Sequence, residues 1–171
     1  MDTIEVILNR RSVRRYLDSP IATGDLATMV ECARQAPSAG NRQSCHLVVV
    51  TDPPLRERVA AACQHQEWMA GAAAIVVGLG DPSVSERWCE VDTAIAMENL
   101  VLAATSLGYG ACWVGAFDEE RLREVLGVPE TMRVVAAATV GRAAEKPQAR
   151  PRRDIGDFAS LQRYGAGFAP E

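Results

Sequence analysis

Lysine is almost missing from this chain. Of its 18 basic residues only Lys146 is a lysine, so arginine is its habitual cation. Histidine is scarce as well, at His46 and His65. The five cysteines (Cys32, Cys45, Cys63, Cys89 and Cys112) are odd in number and form no C-x-x-C pair. These shortages argue against a zinc centre, a disulfide framework or a histidine-rich metal site. The metal expectation is therefore none, and both histidines read as structural or exposed. No apolar run approaches the roughly 18 residues that would span a bilayer. The N-terminal MDTIEVILNRR opens with an acid and lacks the basic-then-apolar order of a signal peptide. The expectation is a cytoplasmic protein without a membrane partner. With 22 acids against 18 bases the formal net charge is −4, and phosphate neutralisation drives general nucleic-acid binding, so no nucleic-acid partner is expected.

Catalytic signatures are short too. GLGDPS at Gly78 begins like G-x-G-x-x-G but has Pro82 and Ser83 where a third glycine should open a helix. GYGACW at Gly108 precedes a predicted strand rather than following one. There is no P-loop and no G-x-S-x-G. Cys45 and His46 are neighbours within or beside a predicted strand, where adjacent side chains point to opposite faces, so they make a poor nucleophile and base. Glu119 and Glu120 read as the solvated first turn of a helix, where acids favour the dipole. With no catalytic side-chain set, the chemistry is expected to belong to a bound cofactor.

What is present is arginine in two clusters. RRSVRRY, Arg10 to Tyr16, holds four arginines in six residues, and Arg150, Arg152 and Arg153 lie near the other end. Arginine's planar fork suits phosphate oxygens, and Ser12 adds a hydroxyl donor. Two distant clusters closing on one phosphate dianion would account for both, and so would two separately solvated faces.

At 171 residues with 48% hydrophobic content, a single domain over 1–171 is expected. Periodicity predicts helices over Thr3–Arg10, Thr23–Gln35 (with Thr23 as cap), Pro53–Gln64, about Arg87–Leu107 and Asp118–Leu126. Strands are predicted at HLVVVT, Ala72–Gly80, Ala111–Gly115 and Met132–Val140. The order predicts a three-layer sandwich of about four strands under helices. Residues 142–171 read as an extended C-terminal segment. The helix carrying DTAIAMENLVLAATSLG is apolar nearly all round, so it must be covered on several sides, by a partner subunit if not by its own chain.

Four segments in order resemble the FMN-dependent nitroreductases: RRSVRRY, APSAGNRQ (Ala36 to Gln43), LGYGACWVGAFD (Leu107 to Asp118) with its preceding ENLVLAA helix, and VGRAAEKPQARPRR (Val140 to Arg153). The resemblance implies an α+β fold, a three-layer α-β-α sandwich with a mixed, largely antiparallel sheet. It implies a homodimer with FMN at the subunit interface. Arg10, Ser12 and Arg14 would hold the flavin phosphate and ribityl chain, with Arg11 helping. Pro37, Ser38, Asn41 and Gln43 would reach the cofactor from the other subunit. Backbone N–H groups around Val114, Gly115 and Ala116 would face N5 and O4 of the ring. Arg150 and Arg152 would return to the phosphate, with Arg153 a rival.

The implied activity is ping-pong reduction of nitroaromatics, quinones or similar electrophiles with NADH or NADPH as transient donor, the chemistry lying at flavin N5 rather than on a catalytic side chain. The alternative is a flavin-binding or regulatory module with little turnover. Gln43-Ser44-Cys45 stands where such proteins usually carry Q-P-W, and the stretch GDPSVSERWCE is short where larger members carry covering helices. Trp113 reads as a packed aromatic before a ring-stacking one. Trp68 with Met69 reads either as core or as the substrate rim, and Cys112 as a buried thiol.

Overall fold

The computed structural model describes residues 2–64 and 66–168. His65 therefore lies outside the described residues, as do the last three of the C-terminal segment. Helix α1 (Thr3–Asn9) starts at a capping box: Asp2 accepts from the Glu5 N–H at 2.9 Å, and the Glu5 carboxylate accepts from the Asp2 N–H. Helix α2 (Thr23–Arg34) begins one residue earlier than the sequence suggested. Ala22 is its N-cap, with extended backbone and its carbonyl bonded by Leu26 N–H, so Thr23 is already helical and caps nothing. Strand β1 (Cys45–Val50) leads to α3 (Pro53–Ala62), whose first turn holds Pro53 and Pro54 under an Asp52 cap. Next come β2 (Ala74–Gly80), the short α4 (Pro82–Ser85) and the 18-residue α5 (Cys89–Ser106). The order ends with β3 (Gly110–Val114), α6 (Glu119–Leu126) capped by Asp118, β4 (Arg133–Gly141) and a short α7 (Ile155–Phe158).

The four strands form one sheet in the order β1-β2-β4-β3, and every neighbouring pair is antiparallel. Among the described residues the one parallel contact is a bridge from Ser12 to Ala111 on the outer edge of β3. Strand side chains alternate between faces, and β2 uses both. Ile75, Val77 and Leu79 pack with Val59, Met69 and Leu122 on the side of α3 and α6. Val76 packs with Met29, Met97 and Leu100 on the side of α2 and α5. That is the expected three-layer sandwich. At Gly78 a Cβ would lie 2.9 Å from both Met97 Cγ and Thr93 Cγ2, so α5 crosses the sheet at a distance only glycine allows.

The long helix is covered on one side. Eight of its residues are buried, among them Asp92, Met97 and Leu100, while Val91 and Ile95 are exposed, as is Trp88 just before it. After β4 the chain runs back beside the N-terminal segment: Leu17 N–H donates to Arg142 O and Ala144 N–H to Arg15 O, both at 2.8 Å. Beyond that, residues 142–168 hold little regular structure besides α7. Among the described residues no helix is long and apolar enough to cross a membrane, and no cluster of metal-ligating side chains occurs.

Candidate functional site

The two arginine clusters meet. Arg10, Arg11, Ser12, Arg14, Arg150 and Arg152, with Pro147 to Ala149, line one cavity of about 380 Å³ whose wall carries five guanidinium groups and no carboxylate. Two devices bring the segments together. The Ser12 bridge and the Val13 N–H, which donates to Ala111 O at 3.0 Å, lay residues 12 and 13 along β3. Glu145 then closes the gap: its Oε1 accepts the backbone N–H of Arg14 at 2.6 Å and of Arg15 at 3.1 Å, across 130 residues of sequence. The Glu145 carboxylate is thereby spent on backbone donors.

The arginines are not equivalent. Arg11 Nη1 donates to the carbonyls of Leu8 and Arg10, which fixes its stem at the end of α1. Arg10 lies 3.9 Å from Glu98 on α5. Arg14 sits 5.7 Å over the Trp68 ring, a cation–π distance, and Met69 beside that tryptophan is fully buried, so the pair is core and its rim rather than an open mouth. Arg153 stands over Phe158 and is not part of the wall, which Arg150 and Arg152 share.

Tyr16 anchors this segment to the sheet. Its hydroxyl donates to Val13 O at 2.5 Å and, its single proton so used, accepts from Thr139 Oγ1 at 2.7 Å. Burial pushes the phenol above its ordinary value, with Thr139 opposing. An unfolded tyrosine ionises near pH ~10 while this one stays protonated, so folded-state stability is full below that value and falls as pH rises beyond it. Tyr16→Phe is expected to cost about 1 kcal/mol at neutral pH and to remove one proton's worth of that alkaline slope, read from urea midpoints at a series of pH values.

The APSAGNRQ loop lies elsewhere. Pro37, Ser38 and Gln43 line a second, largely apolar cavity of about 300 Å³ with Cys45, His46, Asp92 and Ala96. Its wall shares no residue with the arginine cavity. Asn41 is exposed beside it, and Gly40, Asn41 and Gln43 have φ of 59°, 53° and 55°. For the two non-glycine residues such backbone costs about 1 kcal/mol or more each, and it persists only where the surroundings hold it. The holding groups are polar. Ser38 Oγ accepts from Gln43 N–H, and the buried Asp92 accepts from Ala39 N–H at 3.1 Å and Ser44 Oγ at 3.3 Å.

The third predicted group is at the end of β3: Val114 is buried, while Gly115 and Ala116 are exposed just past the strand. They line neither cavity. Trp113, next to them, packs into the α5-side core and donates its Nε1–H to Glu98 at 2.7 Å, as a packed aromatic should. Cys112 is buried, and burial raises its thiol pKa. Glu119 is more than a solvated acid: it accepts from Arg123 and from the Val134 N–H, tying α6 to β4.

The structure thus unites the phosphate-type residues and leaves the loop and strand-end groups apart within one chain. Asp92, Glu98 and Glu145 were missed from sequence. The available signal for the first two was an acid inside an otherwise apolar helix; for Glu145 there was none, because its partners are 130 residues away.

Residues 7–74 and 62–142 match the model of the nitroreductase family. The chain belongs to that family. This family member is 34% identical over 148 residues to an Archaeoglobus fulgidus protein named for NADH dehydrogenase or NAD(P)H nitroreductase activity, with 82% of this chain and 84% of the other covered. The solved structure of a nitroreductase family protein from Clostridium novyi superposes with a TM-score of 0.79 at 30% identity, covering 98% of this chain and 97% of that one. The Vibrio harveyi NADPH:FMN oxidoreductase complexed with NAD+ superposes at 0.88 with 26% identity, covering 95% and 77%.

Proposed function

We propose that the chain is an FMN-dependent oxidoreductase that uses NADH or NADPH to reduce nitroaromatics, quinones or similar electrophiles by a ping-pong mechanism. The observation that carries this reading is the convergence of Arg10, Arg11, Arg14, Arg150 and Arg152 with Ser12 on one cavity free of carboxylates. That donor set fits a phosphate dianion: guanidinium forks give paired, charge-assisted hydrogen bonds to phosphate oxygens. The named relatives support the flavin rather than another phosphate ester, since NADPH:FMN oxidoreductase is among them. When bound, the flavin supplies hydride acceptance and donation at N5.

The chain's own residues bind and orient. Arg10, Ser12, Arg14, Arg150 and Arg152 hold the phosphate end, and Arg11 shapes the pocket floor through its own carbonyl bonds. The backbone N–H groups around Val114, Gly115 and Ala116 direct hydrogen bonds at the ring edge. Pro37, Ser38, Asn41 and Gln43 approach from a second copy, since Pro37, Ser38 and Gln43 line a separate cavity of their own chain and Asn41 is exposed beside it. A homodimer is further supported by apolar surface that one chain leaves bare: Val91 and Ile95 on α5, Trp88 before it, and Ile4, Ile7 and Leu8 on α1. The chain acts as one cytoplasmic domain, 1–171, with 142–171 as an extended segment whose exposed Ile155, Phe158 and Leu161 suit contact with the partner.

The test is an anaerobic absorbance spectrum of the FMN-loaded protein before and after NADH or NADPH. A flavin band that bleaches within seconds is the expected result. A band that is bound yet persists with both donors sinks the enzyme reading in favour of a flavin-binding module, and no retained flavin sinks both.

A further inference from the structure

Asp92 is only 4% exposed, and both its carboxylate oxygens are engaged: Oδ1 by the Ala39 N–H and Oδ2 by the Ser44 hydroxyl. Those two partners bracket the stretch from Gly40 to Gln43, where three residues have positive φ. Such backbone needs its ends held, and a carboxylate is suited to the task because it accepts from an N–H and an O–H at once. Asp92 borders the loop's cavity and takes no part in the arginine cavity. It is six residues from Glu98, which meets Arg10 and Trp113; at 1.5 Å per residue that is about 9 Å along α5. One helix therefore presents one carboxylate to the loop and another to the arginine segment.

We propose that Asp92 is a positioning residue that sets the Pro37–Gln43 loop for the flavin held by the arginines of the partner subunit. This rests on the FMN reading above. Asp92 acts in trans: its removal damages the site across the dimer and leaves intact the arginine cavity of its own chain. The amide of asparagine preserves the arrangement, with Oδ1 accepting from Ala39 and Nδ2 donating to the Ser44 oxygen. Alanine leaves both loop donors unmet.

The experiment measures FMN dissociation constants for the full-length dimer. Asp92→Ala should weaken FMN about 10- to 100-fold, the effect of losing one or two hydrogen bonds to a charged group, and Asp92→Asn should stay within about threefold of the unsubstituted protein. The deciding sample is a heterodimer, isolated with two different affinity tags, of one Asp92→Ala subunit and one Arg14→Ala subunit. Acting in trans, the two defects fall on one site and leave the other whole, so the heterodimer binds one FMN with unaltered affinity. A residue acting on its own chain's site, or only on its folding, leaves no whole site. Unchanged affinity in Asp92→Ala, an asparagine variant as weak as the alanine one, or a heterodimer without a high-affinity site overturns the proposal. Should Asp92→Ala fail to fold, Ser44→Ala takes its place in the same heterodimer, with FMN several-fold weaker in its homodimer and restored in the mixed one; no weakening overturns the role. Failure of the unsubstituted protein to bind FMN overturns the flavin reading itself, and is seen before any variant is compared.

Discussion

The double variant Arg14→Ala with Arg152→Ala is expected to lose FMN affinity by at least about 100-fold while keeping its fold. Each arginine contributes a charge-assisted hydrogen bond worth about 1.5–3 kcal/mol, and about 1.4 kcal/mol is a factor of ten in affinity. The two side chains share one cavity, so their effects need not add, and the lower end of the summed range is the safer expectation. Neither engages a carboxylate within the described residues: Arg14 rests over Trp68, and Arg152 makes only long bonds to the carbonyls of Arg150 and Pro151. Removing them therefore breaks no ion pair, and the urea midpoint should barely move. Arg153→Ala is the control. It stands over Phe158 outside the cavity wall, and its FMN affinity should match the unsubstituted protein. Fluorescence titration of FMN reads all three, and equal affinity in the double variant and the control would remove the arginine cavity from the flavin site.

Gly110→Val is expected to cost about 3 kcal/mol, the upper end of the overpacking range, and to weaken FMN as well. Gly110 opens β3, where valine is otherwise a favoured residue. The obstacle is contact. A Cβ there would sit 2.9 Å from Cβ, Cγ1 and Cγ2 of Val13, which is buried and bonded through its N–H to Ala111 O. Val13 must move, and Ser12 and Arg14 move with it, since they flank it in the chain. Stability and flavin affinity should therefore fall together, where a substitution in the opposite core would lower stability alone. Val13→Ala in the Gly110→Val background removes the Cγ1 and Cγ2 contacts, leaves the one to Cβ, and should recover part of both losses. Urea unfolding and FMN titration of the four proteins of that cycle measure the coupling, and strict additivity would show that the two residues do not press on each other.

Much of this molecule is written locally. The prolines at the start of α3 and the alternating or continuous apolar runs are signals within a few residues, so the four strands and the helices α1, α2, α3, α5 and α6 emerged within a residue or two of their limits, while the four-residue α4 and α7 carry too little periodicity to be read. Thr23 failed as a cap because the turn begins when the backbone at Ala22 becomes extended, and side-chain preference does not decide that alone. The arginine clusters were also legible, since guanidinium density needs no coordinates.

Whether those clusters formed one site or two solvated faces was a tertiary decision. It depended on Glu145 meeting the backbone of Arg14 and Arg15, and on Gly110 and Ala111 receiving Val13 on the edge of β3. The same holds for Asp92, an acid in an apolar helix whose purpose appears only when the loop it holds is folded against it. Hydrogen bonds between distant segments leave no periodic mark in a sequence. Helix and strand patterns do, because side chains sharing one face recur every three or four residues in a helix and every two in a strand.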